Sequence, residues 1–339
     1  INAPGGSRGA IAVTPANPEY IYALLASGSV YGSTSRSTDG GQTWTVMSDS
    51  PNIFDYSCGG TGNNGQGWYD MDIAVDPNDE NFVYVGGVNS WTSANGGSNW
   101  SINTHWYGDC GVPGVHADMH VYEINPLNNR LYNGNDGGIH YTDNQGEDWT
   151  QISSGLAISQ IYKIRSSTTV KDLVINGYQD NGTATYTEEG WKTVMGGDGM
   201  DCLIDWEDPN YSYGEYYYGN IDRIFNNSNN QGSIVNGINE QGAWVTPYLL
   251  SHANSNTMFV GMNNVWRTNN VKANSTYQVQ WTNITNFGGG DCSMLVQSAA
   301  NADIMWAGKG SAVYMSTNVN DENPVWEQLS GLPGSGDVR

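Results

Sequence analysis

The chain has 339 residues, with 34 acidic side chains against 12 basic, and a formal charge of -22. A polyanion of that density repels nucleic acid and anionic membrane surfaces, which argues against both as partners. Only 14% of the residues are charged, whereas Gly (44), Tyr (21) and Trp (13) are abundant; such a composition favours turns and strands over helices.

In chain order, the first elements are an apolar strand, a Pro/Asn turn and an aromatic strand, IAVTPANPEYIYALL from Ile11. The run STDGGQTW, Ser37 to Trp44, follows. Four strands are predicted here: Ile11 to Val13, Tyr20 to Ala26, Val30 to Thr34 and Trp44 to Met47. In the turn before the last of them, the Asp39 carboxylate can accept backbone N–H bonds and the Ser37 hydroxyl can tie the loop. Gly41 can take a left-handed conformation there, and Trp44 can bury its ring.

A long segment, Ser48 to Tyr69, carries Phe54, Tyr56, Cys58, Trp68 and Tyr69. Then the pattern returns. IAVDPNDENFVYVGG from Ile73 leads to SANGGSNW, in which Ser93, Asn95, Gly97 and Trp100 occupy the positions of Ser37, Asp39, Gly41 and Trp44. A second long segment, Asn103 to His120, carries His105, Trp106, Tyr107, Cys110 and HADMH, His116 to His120. VYEINPLNNRLYNGN from Val121 and TDNQGEDW, with Thr142, Asn144, Gly146 and Trp149, form the third copy. Weaker copies begin at Ile161, Cys202, Pro247 and Ser293, and the last four have no intact turn motif, STNVNDENPVW at Ser316 keeping only traces. Seven units of this spacing predict an all-β fold, a seven-bladed β-propeller of four-stranded antiparallel blades spanning 1–339 as a single domain.

STDGGQTW resembles the Asp-box of sialidases, sortilin-type receptor domains and xyloglucan-degrading endoglucanases. DGGIHYTDNQGEDW, SGLAISQIYKI, YQDNGT and GGDGMDCLID are similar to sortilin-type and xyloglucanase-like propellers of secreted bacterial proteins. The resemblance implies an extracellular or cell-surface location. Sialidases bind a carboxylate with three arginines; the arginines here are Arg8, Arg36, Arg130, Arg165, Arg223, Arg267 and Arg339, without the Arg-Ile-Pro signature. Xyloglucanases place one catalytic Asp on each of two propellers, and this chain has the blades of one. The closing LSGLPGSGDVR resembles the SGLAISQIYK that leads from the third unit into the fourth, which suggests a module of a larger chain whose other domains are partners.

In a propeller the long inter-blade loops share one face, opposite the Asp-box turns. The expected ligand residues are therefore Tyr56, Trp68, Tyr69, His105, Trp106 and Tyr107, since aromatic rings stack on sugars or anchor a peptide. Cys58 and Cys110 lie in these loops and suit a surface disulfide, although sequence does not fix the connectivity; Cys202 and Cys292 read as buried thiols. Nearer the axis, His116, Asp118 and His120 alternate so as to point one way if extended, a candidate metal set, and a ring of carboxylates there suits calcium. The same residues could instead hydrogen-bond strand ends. Asp118, Asp180 and Asp198 are the candidate catalytic carboxylates for a glycosidase. The sequence thus supports a recognition module for glycan or extracellular polypeptide, with a glycoside hydrolase and a structural spacer as alternatives.

Overall fold

The computed structural model describes residues 5–156, 158–331 and 336–338. The likeness between the closing segment and the start of the fourth unit rests partly on residues 157, 332–335 and 339, which lie outside the described residues. Among the described residues the strands form seven four-stranded antiparallel sheets, each ordered along the chain, as in a seven-bladed all-β propeller. No helix is long and apolar enough to cross a membrane. The chain divides into two compact units, Ile1–Ile158 and Ser159–Arg339.

The first unit holds three blades: Arg8–Val13, Ile21–Ser27, Val30–Ser37 and Thr45–Ser48; Asp72–Val75, Val83–Gly86, Ser90–Ser93 and Ser101–Thr104; Met119–Ile124, Leu131–Asn135, Gly138–Thr142 and Thr150–Gln151. The second unit holds four blades, whose first strands are Ile161–Ser166, Gly199–Ile204, Tyr248–Leu250 and Cys292–Gln297. Second strands such as Ile21–Ser27, Val83–Gly86 and Met258–Gly261 are buried almost throughout. They read as continuous apolar runs, without alternation, because both faces of each are covered. The core is correspondingly divided into seams between consecutive blades. Tyr22, Leu24, Val83 and Val85 pack in one seam of the first unit, and Ala74, Tyr84, Tyr122 and Leu131 in the next. Tyr213, Ile221, Met258 and Val260 fill a seam of the second unit, followed by Phe259, Val265, Leu295 and Met305. Cys202 and Cys292 are buried free thiols in this unit.

The turns before the fourth strands are closed by a polar clasp. Ser37 Oγ donates to Asp39 Oδ1 at 2.8 Å and accepts the Gly41 N–H at 2.8 Å, while Asp39 Oδ1 accepts the Thr43 N–H at 2.8 Å. Ser93 with Asn95 and Thr142 with Asn144 repeat it, with Gly97 and Gly146 donating to the hydroxyl. Asn can fill the position because the accepting Oδ1 is common to both, but Asp39 Oδ2 also accepts the Thr43 hydroxyl at 2.6 Å, which an amide nitrogen does not.

Two of the last four blades keep part of the clasp, the traces at Ser316 among them. Thr268 Oγ1 donates to Asn270 Oδ1 at 2.9 Å and Ser316 Oγ to Asn318 Oδ1 at 3.2 Å. Asn270 Oδ1 then accepts the N–H of Gln280 and Asn318 Oδ1 that of Val325. The inserted residues within each turn hide the spacing, while the hydrogen bonds persist. Arg223 and Arg267 are buried, and each donates to two carbonyls of the following blade's turn region. They are committed to packing.

Hydrogen bonds from Thr43, and with them the Ser37 hydroxyl, lower the Asp39 carboxyl from the ordinary aspartate range to about 2. A depressed acid stabilises the fold above its unfolded-state pKa and ceases to do so as pH falls through the folded value. Asp39→Asn therefore loses Tm relative to the parent near neutrality, and this difference shrinks between about pH 4 and pH 2. Thermal melts of the two proteins across that range check it; a difference independent of pH would assign the effect to packing instead.

Candidate ligand-binding site

Both long loops of the first unit are rooted on the clasp of the next blade. Ser48, the last residue of the first blade, donates to the Gly97 carbonyl at 2.6 Å and accepts the Trp100 indole N–H at 2.9 Å. Asn103 does the same one blade on, donating to Gly146 at 3.1 Å and accepting from Trp149 at 3.2 Å. Each loop departs from a point fixed by the neighbouring blade.

Between their roots the loops are tied to each other. Cys58 and Cys110 form a disulfide, with Cα atoms 6.0 Å apart. Beneath it, the fully buried Asn89 donates to the carbonyls of Asp55 and Tyr56 at 3.3 and 3.2 Å, and its Oδ1 accepts the Trp106 N–H at 3.2 Å. Phe54 is buried against Tyr31, their ring centroids 5.7 Å apart. It also lies against Gly67 and Gly87, where an added Cβ would meet the ring at 2.8 and 3.1 Å. The glycines let the loop backbone approach the ring, so the first loop is wedged onto the blades by a core side chain.

The tied loops present Tyr107 (76% exposed), Trp68 (64%), Tyr56 (39%) and Trp106 (37%). Trp106 and Tyr107 pack together with centroids 4.0 Å apart. His105 differs from the sequence reading: it is buried, near both rings, and its Nδ1 accepts the Tyr107 N–H, so it shapes the turn and offers no face to a ligand. Tyr69 is partly buried and edge-on to His120, with its hydroxyl donating to Asp136 at 2.8 Å.

HADMH is not extended as the alternation required. Asp118 has φ +63°, a left-handed backbone, and the strand starts only at Met119. The His116 ring contacts the Ala117 carbonyl, while His120 Nε2 lies 2.8 Å from Asp136 Oδ1. Convergence in this unit is instead among carboxyl groups. Asp118 and Asp136 offer oxygens within 4.8 Å of each other, and Gln66 donates to Asp118 Oδ1 at 2.7 Å. Asp70 is buried beside Asp118; burial first, then the Asp118 charge, pushes its carboxyl far above the usual carboxylate range. Burial and then the Asp136 charge raise Asp118 as well. Burial and the neighbouring charge together disfavour ionising both carboxyls at once. Tyr56 lies close enough to both that, after its burial, their charges raise its phenol. Tyr56 and the acidic cluster are therefore neighbours.

Asp180 and Asp198 belong to the second unit. Asp180 sits in a turn with φ +59°, and its N–H donates to Asp198 Oδ1 at 2.9 Å. An aromatic group that the sequence reading missed lies in the same unit. Trp244 stacks on Tyr217 at 4.9 Å, meets Tyr218 edge-on, and donates its indole N–H to the Tyr162 hydroxyl at 3.0 Å. The triplet Tyr216 to Tyr218 was the available signal.

Fold and site together define a β-propeller protein with an exposed aromatic surface on tethered loops. No described family matches the sequence, and no curated protein does. Solved structures similar to the chain include the GH74 enzyme of Niastella koreensis, at 16% identity over 97% of this chain and 60% of that one, with a TM-score of 0.33. An ancestral GH74 enzyme shares 14% identity over 96% and 46%, with a TM-score of 0.39. The GH74 xyloglucanase of Xanthomonas campestris shares 13% over 96% and 61%, at 0.33. This chain thus spans less than two thirds of each of the three. Likeness of this degree bears on neither ligand nor reaction.

Removing the Asn89 amide leaves the Asp55 and Tyr56 carbonyls and the Trp106 N–H without their partner. Asn89→Ala should destabilise the first unit by about 2–4 kcal/mol, from ~1–3 kcal/mol per orphaned buried group with partial relaxation. Hydrogen exchange should show the loss of protection centred on Trp106 and the adjoining loops. Uniform loss across all three blades would contradict a local clamp.

Proposed function

We propose that this chain is an extracellular recognition module that binds a glycan on the platform of Tyr56, Trp68, Trp106 and Tyr107. The observation that supports it best is the tethering of these exposed rings by the disulfide and Asn89. Four large rings held in water without a partner cost free energy, and preorganisation lowers the entropy lost when a ligand arrives. Flat aromatic faces suit the apolar C–H faces of pyranose rings, while the acidic surroundings offer acceptors for their hydroxyls. The disulfide is in keeping with an oxidising compartment, and the Ser/Thr-x-Asp/Asn clasps are in keeping with an Asp-box propeller of the sortilin-type and xyloglucanase-like kind. On this reading the propeller serves as one domain of a larger secreted or surface protein.

Glycoside hydrolysis is the second reading, favoured by one observation: the oxygens of Asp118 and Asp136 lie within 4.8 Å of each other, near the ~5–5.5 Å of a retaining carboxyl pair. A glycan-array screen of the purified protein, with the eluates analysed for shortened oligosaccharides, separates the two. The expected result is binding without cleavage, weakened at least about tenfold by Trp68→Ala and by Trp106→Ala. Cleavage abolished by Asp118→Asn would establish the hydrolase, and binding unaffected by either Trp substitution would remove the platform from the account.

A further inference from the structure

We propose that Asp70, Asp118 and Asp136 form an oxygen-ligand site for a divalent cation of the calcium class. Asp70 is 1% exposed, and neither of its carboxyl oxygens meets a hydrogen-bond donor of another described residue. A buried carboxyl without donors is costly and calls for a proton or an ion. It faces the carboxyl of Asp118 rather than a cation, and among the described residues no Lys or Arg pairs with Asp70 or Asp118.

The spacing of Asp118 and Asp136 suits an ion, with Asp70 buried beside Asp118. The Asp118 and Asp136 oxygens lie within 4.8 Å of each other, and a calcium ion bound at ~2.3–2.6 Å from each ligand spans up to about that distance. All three donors are hard oxygens, which selects calcium or magnesium over zinc or copper. Ligands drawn from separate loops and a strand end, able to adjust individually, favour calcium's variable coordination over the strict octahedron of magnesium. The groups around them act as orienting partners. Gln66 fixes Asp118 at 2.7 Å, while Tyr69 and His120 fix Asp136 at 2.8 Å each, the usual arrangement behind metal-ligating carboxylates. The ion would draw together the ends of both aromatic loops, since Asp70 follows the first and Asp118 closes the second.

The test uses the metal alone, without glycan, so its outcome is independent of the platform reading. Terbium added to the whole protein should give luminescence sensitised by Tyr69, whose hydroxyl touches Asp136, and by Trp68, 5.5 Å from Tyr69. Calcium should displace it. Calcium at about 10 mM and matched ionic strength should raise Tm by at least about 2 °C, given extracellular sites with Kd of ~10⁻⁴–10⁻³ M. Asp70→Asn should abolish the calcium-displaceable signal and the Tm rise; Asp136→Asn, at a less buried position, serves the same purpose where Asp70→Asn does not fold. Absence of displaceable terbium from the parent protein overturns the proposal. So does an equal Tm rise in either folded variant, which would assign the effect to counterions of the acidic surface.

Discussion

The hydroxyl of Ser37, with its counterparts Ser93, Thr142, Thr268 and Ser316, is the contact from which much of the architecture follows. Each is buried and donates to the Oδ1 of a residue two positions on. A fourth strand as short as Thr150–Gln151 contributes few ladder hydrogen bonds of its own. Its position therefore depends on the turn that delivers it, and a turn satisfied internally by side-chain oxygens needs no partner strand.

From the clasp the effect passes to the neighbouring blade. The clasp holds Gly97 and Gly146 so that their carbonyls meet Ser48 and Asn103, and it sets Trp100 and Trp149 to donate to the same two residues. Ser48 and Asn103 are also the roots of the two aromatic loops. A polar turn on one blade thereby fixes where the loop of the preceding blade departs. The disulfide, Asn89 and the Gln66–Asp118 hydrogen bond then join two loops whose starting points are already determined, and Phe54 seats the first of them on the blades.

How far all this was legible depended on the kind of signal. Strands were readable because apolar runs and turn residues alternate at the blade period, and Thr45–Ser48 departs from its expected position by one residue. The later clasps were hidden because only Thr268 and Asn270, or Ser316 and Asn318, are needed, and nothing in sequence marks where the closing N–H returns. His105 reads as an exposed ring from its place in a long loop; its burial follows from a turn closed by the Tyr107 N–H on its Nδ1. HADMH misled for another reason. Alternation predicts a shared face only for extended backbone, and the left-handed Asp118 breaks it. That same break turns the Asp118 carboxyl toward Asp70 and Gln66, so the residue lost to the histidine set is gained by the carboxyl cluster. Asn89 carried no signal, since a buried Asn that clamps two loops is invisible until both are placed.

The carboxyl cluster also bears on what the platform does. A retaining glycosidase needs one carboxyl as acid and another free to attack, both touching the substrate. Asp70, the group most strongly held in its neutral form, is buried out of a ligand's reach, and Asp136 is engaged by Tyr69 and His120. Asp118 alone combines partial exposure with a raised affinity for its proton. With Asp70 buried and Asp136 held by two neighbours, the cluster forms a fixed floor next to Tyr56. A rigid floor beside exposed rings favours shape-selective binding, in which the ligand gives up its freedom and the protein gives up little.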